Sequence, residues 1–184
     1  MKPGIKDFHA FASGRFRKAI RESYEKYLIL SEADLQAYAW SLVVDFFREH
    51  DPTGLRFRVL NKPYCKDLRI HPDLAIFKRG KPWVLFELKE RRKLSARSAK
   101  NEWKRLVRAR EHLRPKRAYL VYVARYGQSK VLHGPKGKGA RYFFELPVIL
   151  EDSWTRERVE AWEPEFKRWS KFVNSSHRRK QVRP

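Results

Sequence analysis

Arg69-Ile-His-Pro-Asp73-Leu-Ala-Ile-Phe-Lys78, Arg79-Gly80-Lys81 and Pro82-Trp-Val-Leu-Phe-Glu87-Leu88-Lys89 run consecutively in the chain. Two β-branched and aromatic runs around a glycine-containing turn are the pattern of a β-hairpin. Side chains alternate across a strand, so Glu87 and Lys89 share one face, and Asp73 shares a face with Ala75 and Phe77. The turn decides whether the two acids meet. A two-residue Arg79-Gly80 loop pairs Lys78 with Lys81, sets Asp73 opposite Phe86 and sends the carboxylates to opposite faces. A three-residue Arg79-Gly80-Lys81 loop pairs Lys78 with Pro82 and Asp73 with Glu87, with Cβ atoms roughly 4.5–5.5 Å apart. The second register is the expected one.

Two carboxylates that close repel unless a divalent cation lies between them, and Mg²⁺ takes oxygen ligands while keeping waters for chemistry. Mg²⁺, with Mn²⁺ as a substitute, is therefore the expected cofactor, held by Asp73 and Glu87. The backbone carbonyl of Leu88 is a further candidate ligand. Lys89, on the face of Glu87, is placed to assist an attacking water and to stabilise charge developing on a phosphate. The bland reading is an aspartate at a strand entry and an ordinary solvated Glu87/Lys89 pair. Trp83, Leu85 and Phe86 surround Glu87 with bulk, which disfavours a fully exposed strand.

Pro72-Asp73 followed by Glu87-Leu88-Lys89 resembles the signature of the PD-(D/E)XK nuclease superfamily. The resemblance covers roughly residues 31–124 and implies an α/β fold, a central mixed β-sheet flanked by helices, restriction-endonuclease-like. It implies a divalent-metal-dependent nuclease hydrolysing phosphodiester bonds in DNA. Such nucleases commonly carry an acidic residue on the helix before the hairpin; Glu32 in Ser31-Glu-Ala-Asp-Leu-Gln36 matches, which makes it a candidate catalytic residue and metal ligand, with Gln36 one turn on as its neighbour and a candidate nucleic-acid contact. The segment after Lys89, with a helix bearing Trp103 and Leu106, is similar to the VRR-NUC branch. There a glutamine usually lies one turn before the aromatic, and this chain has Lys100. Glu32 keeps a second reading, because Ser31 and Asp34 form an acidic variant of a capping box, and a first-turn glutamate suits the helix dipole. Yet Glu32, Leu35, Ala39 and Val43 lie along one face, so Glu32 extends the apolar stripe.

Composition sets the bounds. The 184 residues, 42% hydrophobic and 14% aromatic, suffice for one domain with a full core, expected over 1–176 with a basic tail at 177–184. The 43 Lys+Arg against 21 Asp+Glu give a net charge of +22, which points to a polyanionic partner: nucleic acid, DNA before RNA. Charge spread over every segment argues against a membrane-surface helix. The single Cys65 excludes an internal disulfide or a Cys-rich metal site and reads as an inert core residue. No apolar run of about 18 residues occurs, and the expected location is cytoplasmic.

Helical spacing of Phe16, Ile20, Tyr24 and Tyr27 predicts a helix over 15–30, and a wide apolar stripe predicts another over 31–49. A strand is expected over 55–60, leading to the hairpin. Over 94–113, Ala99, Trp103, Leu106 and Leu113 face inward; Arg97, Lys100, Lys104, Arg105 and Arg108 face outward, where Arg97, Lys100 and Lys104 could meet nucleic acid. Arg117–Ala124 reads as a buried strand, completing a right-handed β-α-β crossover. The glycine- and lysine-rich 127–140 is not a P-loop, since no Gly-Lys-Ser/Thr ends it; Lys136 and Lys138 could grip a phosphate backbone. A strand-like run over 142–150 is interrupted by Pro147, and a helical segment follows over 155–175. No serine elbow or cysteine triad suggests a covalent nucleophile. The competing class is a nucleic-acid-binding module with a nuclease-like fold. A homodimer would suit an enzyme that cuts both strands.

Overall fold

A computed structural model describes residues 3–26, 28–29, 31–64, 71–91, 96–124, 135 and 139–150, with backbone alone at 91, 96–99 and 124. The helices are α1 (Ile5–Phe11), α2 (Arg17–Glu25), α3 (Glu32–His50) and α4 (Ala96–Leu113), and the strands β1 (Phe57–Asn61), β2 (Leu74–Lys78), β3 (Lys81–Arg91), β4 (Arg117–Ala124) and β5 (Phe143–Ile149). They form one sheet in the order β1-β2-β3-β4-β5. β1, β2 and β3 pair antiparallel, while β3, β4 and β5 pair parallel. The result is an α/β fold with an open, mixed five-stranded sheet flanked by helices. The helical segment expected over 155–175, the 177–184 tail, Cys65 and most of the 127–140 loop lie outside the described residues.

The period-2 alternation of the strands sorts the core into two layers. Leu74, Ile76, Val84, Phe86, Leu88, Tyr119, Val121 and Val123 face α1, α2 and α3. Ala75, Leu85, Ala118, Leu120 and Tyr122 face α4 through Trp103, Leu106 and Ala109. Phe8 is fully buried in the first layer. Its ring lies between 5.4 and 6.2 Å from those of Trp83, Phe46, Phe47, Phe11, Phe86 and Tyr119.

The first helix begins well before residue 15. Ile5–Phe11 is helical, Ala12–Phe16 forms a π-helical turn, and Arg17–Glu25 continues, with right-handed helical backbone at Ala12 and Arg17. Ser13 and Gly14 are poor helix formers and look like a break. The wider turn absorbs them and keeps Phe8, Ala12, Phe16 and Ile20 on the buried side. At α3, Ser31 Oγ accepts from Asp34 N at 3.2 Å, so the helix is capped without Glu32. Pro147 sits inside β5, opposite Tyr122. β5 is the last strand of the described sheet, where a missing N–H is tolerated.

The hairpin turn corrects the expected one. The loop is the two-residue Arg79-Gly80, with φ of 51° and 75°, and Lys78 pairs with Lys81, not Pro82. Both positive φ values belong to the tight turns whose twist matches a hairpin. The register then shifts: Phe77 pairs with Pro82 and Ile76 with Val84, leaving Trp83 as a β-bulge. Leu74 therefore faces Phe86, and one step further Asp73 comes level with Glu87. The extra residue expected in the turn lies in the strand instead. Pro82, which cannot donate to a ladder, is a natural neighbour for the bulge. Among the described residues no helix is long and apolar enough to cross a membrane.

Glu145 of β5 lies under Trp103, whose Nε1 donates to its Oε1 at 3.3 Å. Burial pushes the Glu145 carboxyl up to about 7, against the opposing Trp103 hydrogen bond. The folded state therefore binds more protons than the unfolded one between about pH 4.5 and 7, and stability falls as pH rises through that window. Glu145→Gln keeps an acceptor for Trp103 and removes this slope. The thermal midpoint of the variant relative to wild type should be higher at pH 8 than at pH 4.5, as read by melting curves; an offset equal at both pH values would contradict it.

Candidate functional site

β3 runs to Arg91 while β2 begins only at Leu74, opposite Phe86. The stretch from Glu87 onward thus has β4 on one side and no strand on the other among the described residues. Two carboxylates take the place of the missing strand. Asp73 Oδ2 accepts from Leu88 N at 2.7 Å, and Glu32 Oε2 accepts from Glu90 N at 3.5 Å. The N–H and C=O of one strand residue point to the same lateral side, so the Leu88 carbonyl is directed to this side too. Asp73 is fixed further by Gln36, whose Nε2 donates to Oδ1 at 2.8 Å, and by its own carbonyl, which accepts from Lys62 N at 2.9 Å.

Glu87 points to the α4 face, 2% exposed, and Asp73 is 5% exposed. Burial pushes the Glu87 carboxyl well above the usual carboxylate range, and the charge of Asp73 adds to it; Arg105 opposes the rise, and contact with Glu102 reinforces it. Burial likewise raises Asp73, against the Leu88 hydrogen bond and the charge of Lys89. Arg105 Nη1 lies 2.9 Å from Glu87 Oε1 but off hydrogen-bond geometry, so that buried oxygen lacks a hydrogen-bond donor.

Lys89 is 8% exposed. Its Nζ donates to Glu32 Oε1 at 2.9 Å and lies 3.9 Å from Glu102 Oε1. Burial acts to lower its pKa, but the Glu32 hydrogen bond with the charges of Glu102, Glu32 and Asp73 outweighs it, and the ammonium is held above its ordinary value. Arg105 also bonds Glu102 Oε2 at 3.2 Å and the His71 carbonyl at 3.2 Å. A cavity of about 10 Å³ lined by His71, Pro72, Glu87, Arg105, Leu106 and Ala109 adjoins the site; it has room for about one water.

The structure thus brings Glu32, Gln36, Asp73, Glu87 and Lys89 together. Gln36 is 5% exposed and engaged with Asp73, which makes it an orienting residue and leaves its amide turned away from solvent. Lys100 and Lys104 are exposed on α4, while the side chain of Arg97 and residues Lys136 and Lys138 lie outside the described residues. Arg105 corrects its expected outward placement: it is half-buried and turned into the site. Sequence reasoning passed over Glu102, 9% exposed. Its spacing to Leu106, Ala109 and Leu113 puts an acid on the buried stripe of α4, which is the signal that could have found it.

Among the described residues, no group of three or more His, Cys, Asp or Glu side chains is gathered so as to hold a metal ion. A divalent cation here would depend on Asp73, Glu87, the Leu88 carbonyl and water. That donor set suits Mg²⁺, which is commonly bound through one or two carboxylates and keeps several waters. Glu87 Oε1 accepts no hydrogen bond but faces the Arg105 guanidinium at 2.9 Å, so a cation held here would take the place of that ion pair. Comparison with family models, with curated proteins and with solved structures finds no match to this chain.

Gln36→Leu keeps bulk and leaves Asp73 Oδ1 buried without its donor. Denaturant unfolding should show a loss of about 1–3 kcal/mol; an unchanged midpoint would mean that Asp73 is not held by this bond.

Proposed function

We propose that this protein is a divalent-metal-dependent nuclease that hydrolyses phosphodiester bonds, with DNA as the substrate favoured by the sequence resemblance. The observation that carries the reading is the convergence of two buried carboxylates, Asp73 and Glu87, with the ammonium of Lys89 beside the stretch of β3 that has no strand on one side among the described residues. The net charge of +22 supports a polyanionic substrate.

Asp73, Glu87 and the Leu88 carbonyl would hold the ion, most simply Mg²⁺ with Mn²⁺ in its place. Bound there, it would supply Lewis-acid stabilisation of negative charge on the phosphate oxygens. Gln36 and Leu88 N orient the Asp73 carboxylate. Lys89 carries a proton-rich ammonium at the same edge, held by Glu32, where it can orient the attacking water and donate to a phosphate oxygen. Arg105 closes the small cavity beside Glu87. Its half-exposed guanidinium must turn outward to admit ion and substrate, and is then free to pair with a phosphate.

A second reading is favoured by one specific observation. Lys89 and Arg105 are already paired with Glu32, Glu87 and Glu102 within the chain, as they would be in a nuclease-like module that binds nucleic acid without cutting it. Incubation with labelled single-stranded, double-stranded and branched DNA at low salt separates the two. Cleavage should require Mg²⁺ or Mn²⁺, stop in EDTA and fall by about 10²–10³ in Lys89→Ala, the scale of losing one charge-stabilising donor. Tight binding without cleavage under every condition would reject the nuclease reading.

A further inference from the structure

The hairpin end of the sheet carries charge that the carboxylate site does not use. Lys78 and Lys81 face each other directly across the turn. Arg79 N donates to the Arg56 carbonyl at 2.7 Å, and Lys116 N to the Trp83 carbonyl at 2.9 Å, so five cationic residues surround one turn. Lys78 Nζ lies 5.1 and 5.4 Å from the ring centroids of Phe57 and Trp83, and Arg79 and Lys81 are exposed.

Like charges placed directly opposite one another on a sheet are destabilising. Burial, with the charges of Lys116, Arg79 and Arg56, holds Lys78 below its ordinary pKa. The salt bridges among the described residues include none of the five cations. Asp51 is the acid beside Arg56, and it is occupied: its carboxylate accepts from Thr53 Oγ1, Arg56 N and Phe57 N at 3.1, 2.9 and 3.2 Å. The turn itself has no use for an arginine. Arg79 sits at φ 51°, in the left-handed region where asparagine before glycine is the favoured choice.

We propose that this hairpin end, through Arg56, Lys78, Arg79, Lys81 and Lys116, binds the phosphate backbone of a nucleic acid as an anchor separate from the carboxylate site. Lys81 and Glu87 are six residues apart on β3, about 20 Å at the rise of a strand. A duplex touching both regions spans about six base pairs at ~3.4 Å per step. The inference rests on the nucleic-acid part of the proposed function and not on hydrolysis.

Arg79→Asn and the double variant Arg79→Asn/Lys81→Gln test it, with binding to a labelled DNA duplex followed by fluorescence anisotropy in EDTA over a salt series. The Asn-Gly turn should leave the thermal midpoint unchanged or raised, which separates the readout from unfolding. The slope of log affinity against log salt should become shallower by about 0.9 for each phosphate that the variant no longer neutralises. An unchanged slope and affinity in a folded double variant would overturn the proposal. So would a wild-type protein that does not bind duplex, or a loss seen only on vesicles containing phosphatidylserine. Because no cleavage occurs in EDTA, a shallower slope in a protein that never cuts DNA would retain the anchor and reject the nuclease; metal-dependent cutting with an unchanged slope would do the reverse.

Discussion

Trp83 has no ladder partner in β2, and the carboxylate site depends on that extra residue. Without it, the two-residue Arg79-Gly80 turn would carry Asp73 and Glu87 to opposite faces of the sheet. The bulge restores the phase, so that Ala75, Leu85 and Glu87 share the α4 side while Ile76, Val84 and Leu88 share the other. The bulged side chain is itself 3% exposed and packs on Phe8, Phe47 and Phe57. The register is therefore tied to the aromatic core, and the energy that packs Trp83 also fixes the geometry of the acids.

The second constraint is the early end of β2. Strand β3 continues past its neighbour, and its lateral N–H groups at Leu88 and Glu90 would otherwise need water. Carboxylates on two separate elements, Asp73 before β2 and Glu32 at the start of α3, supply the acceptors. This places negative charge where burial opposes it. Lys89 and Arg105 oppose that cost, while burial still holds both Asp73 and Glu87 above the usual carboxylate range.

Much of this was legible because the relevant signals are local. The alternating pattern of Leu74–Lys78 and Pro82–Lys89 gave the strands and their faces, and the apolar stripe of α3 with Ser31 ahead of it gave that helix and its cap. Asp73, Glu87 and Lys89 could be gathered because strand alternation and hairpin register are short-range, whereas Glu32 and Gln36 were joined to them only through the family resemblance. The turn was misassigned because an extra residue in a loop and one in a strand give the same pairing at Asp73. The bulge is decided by how Trp83 packs, which is a tertiary matter. Phe8 was missed because Ser13 and Gly14 mask a helix that survives by a π-helical turn. Glu102 was missed and Arg105 read as outward-facing because α4 reaches the acids only through the packing of Trp103 and Leu106 on the sheet.

The proposed function requires Asp73 and Glu87 to hold one divalent cation between them. Calorimetric titration of Mn²⁺ into the wild-type protein and into folded Asp73→Asn and Glu87→Gln variants tests it most directly. One saturable site is expected in the wild type, abolished or severely weakened by either substitution. Equal binding in all three proteins, or no saturable site in the wild type, would contradict it and leave the carboxylates as acceptors that finish the edge of β3.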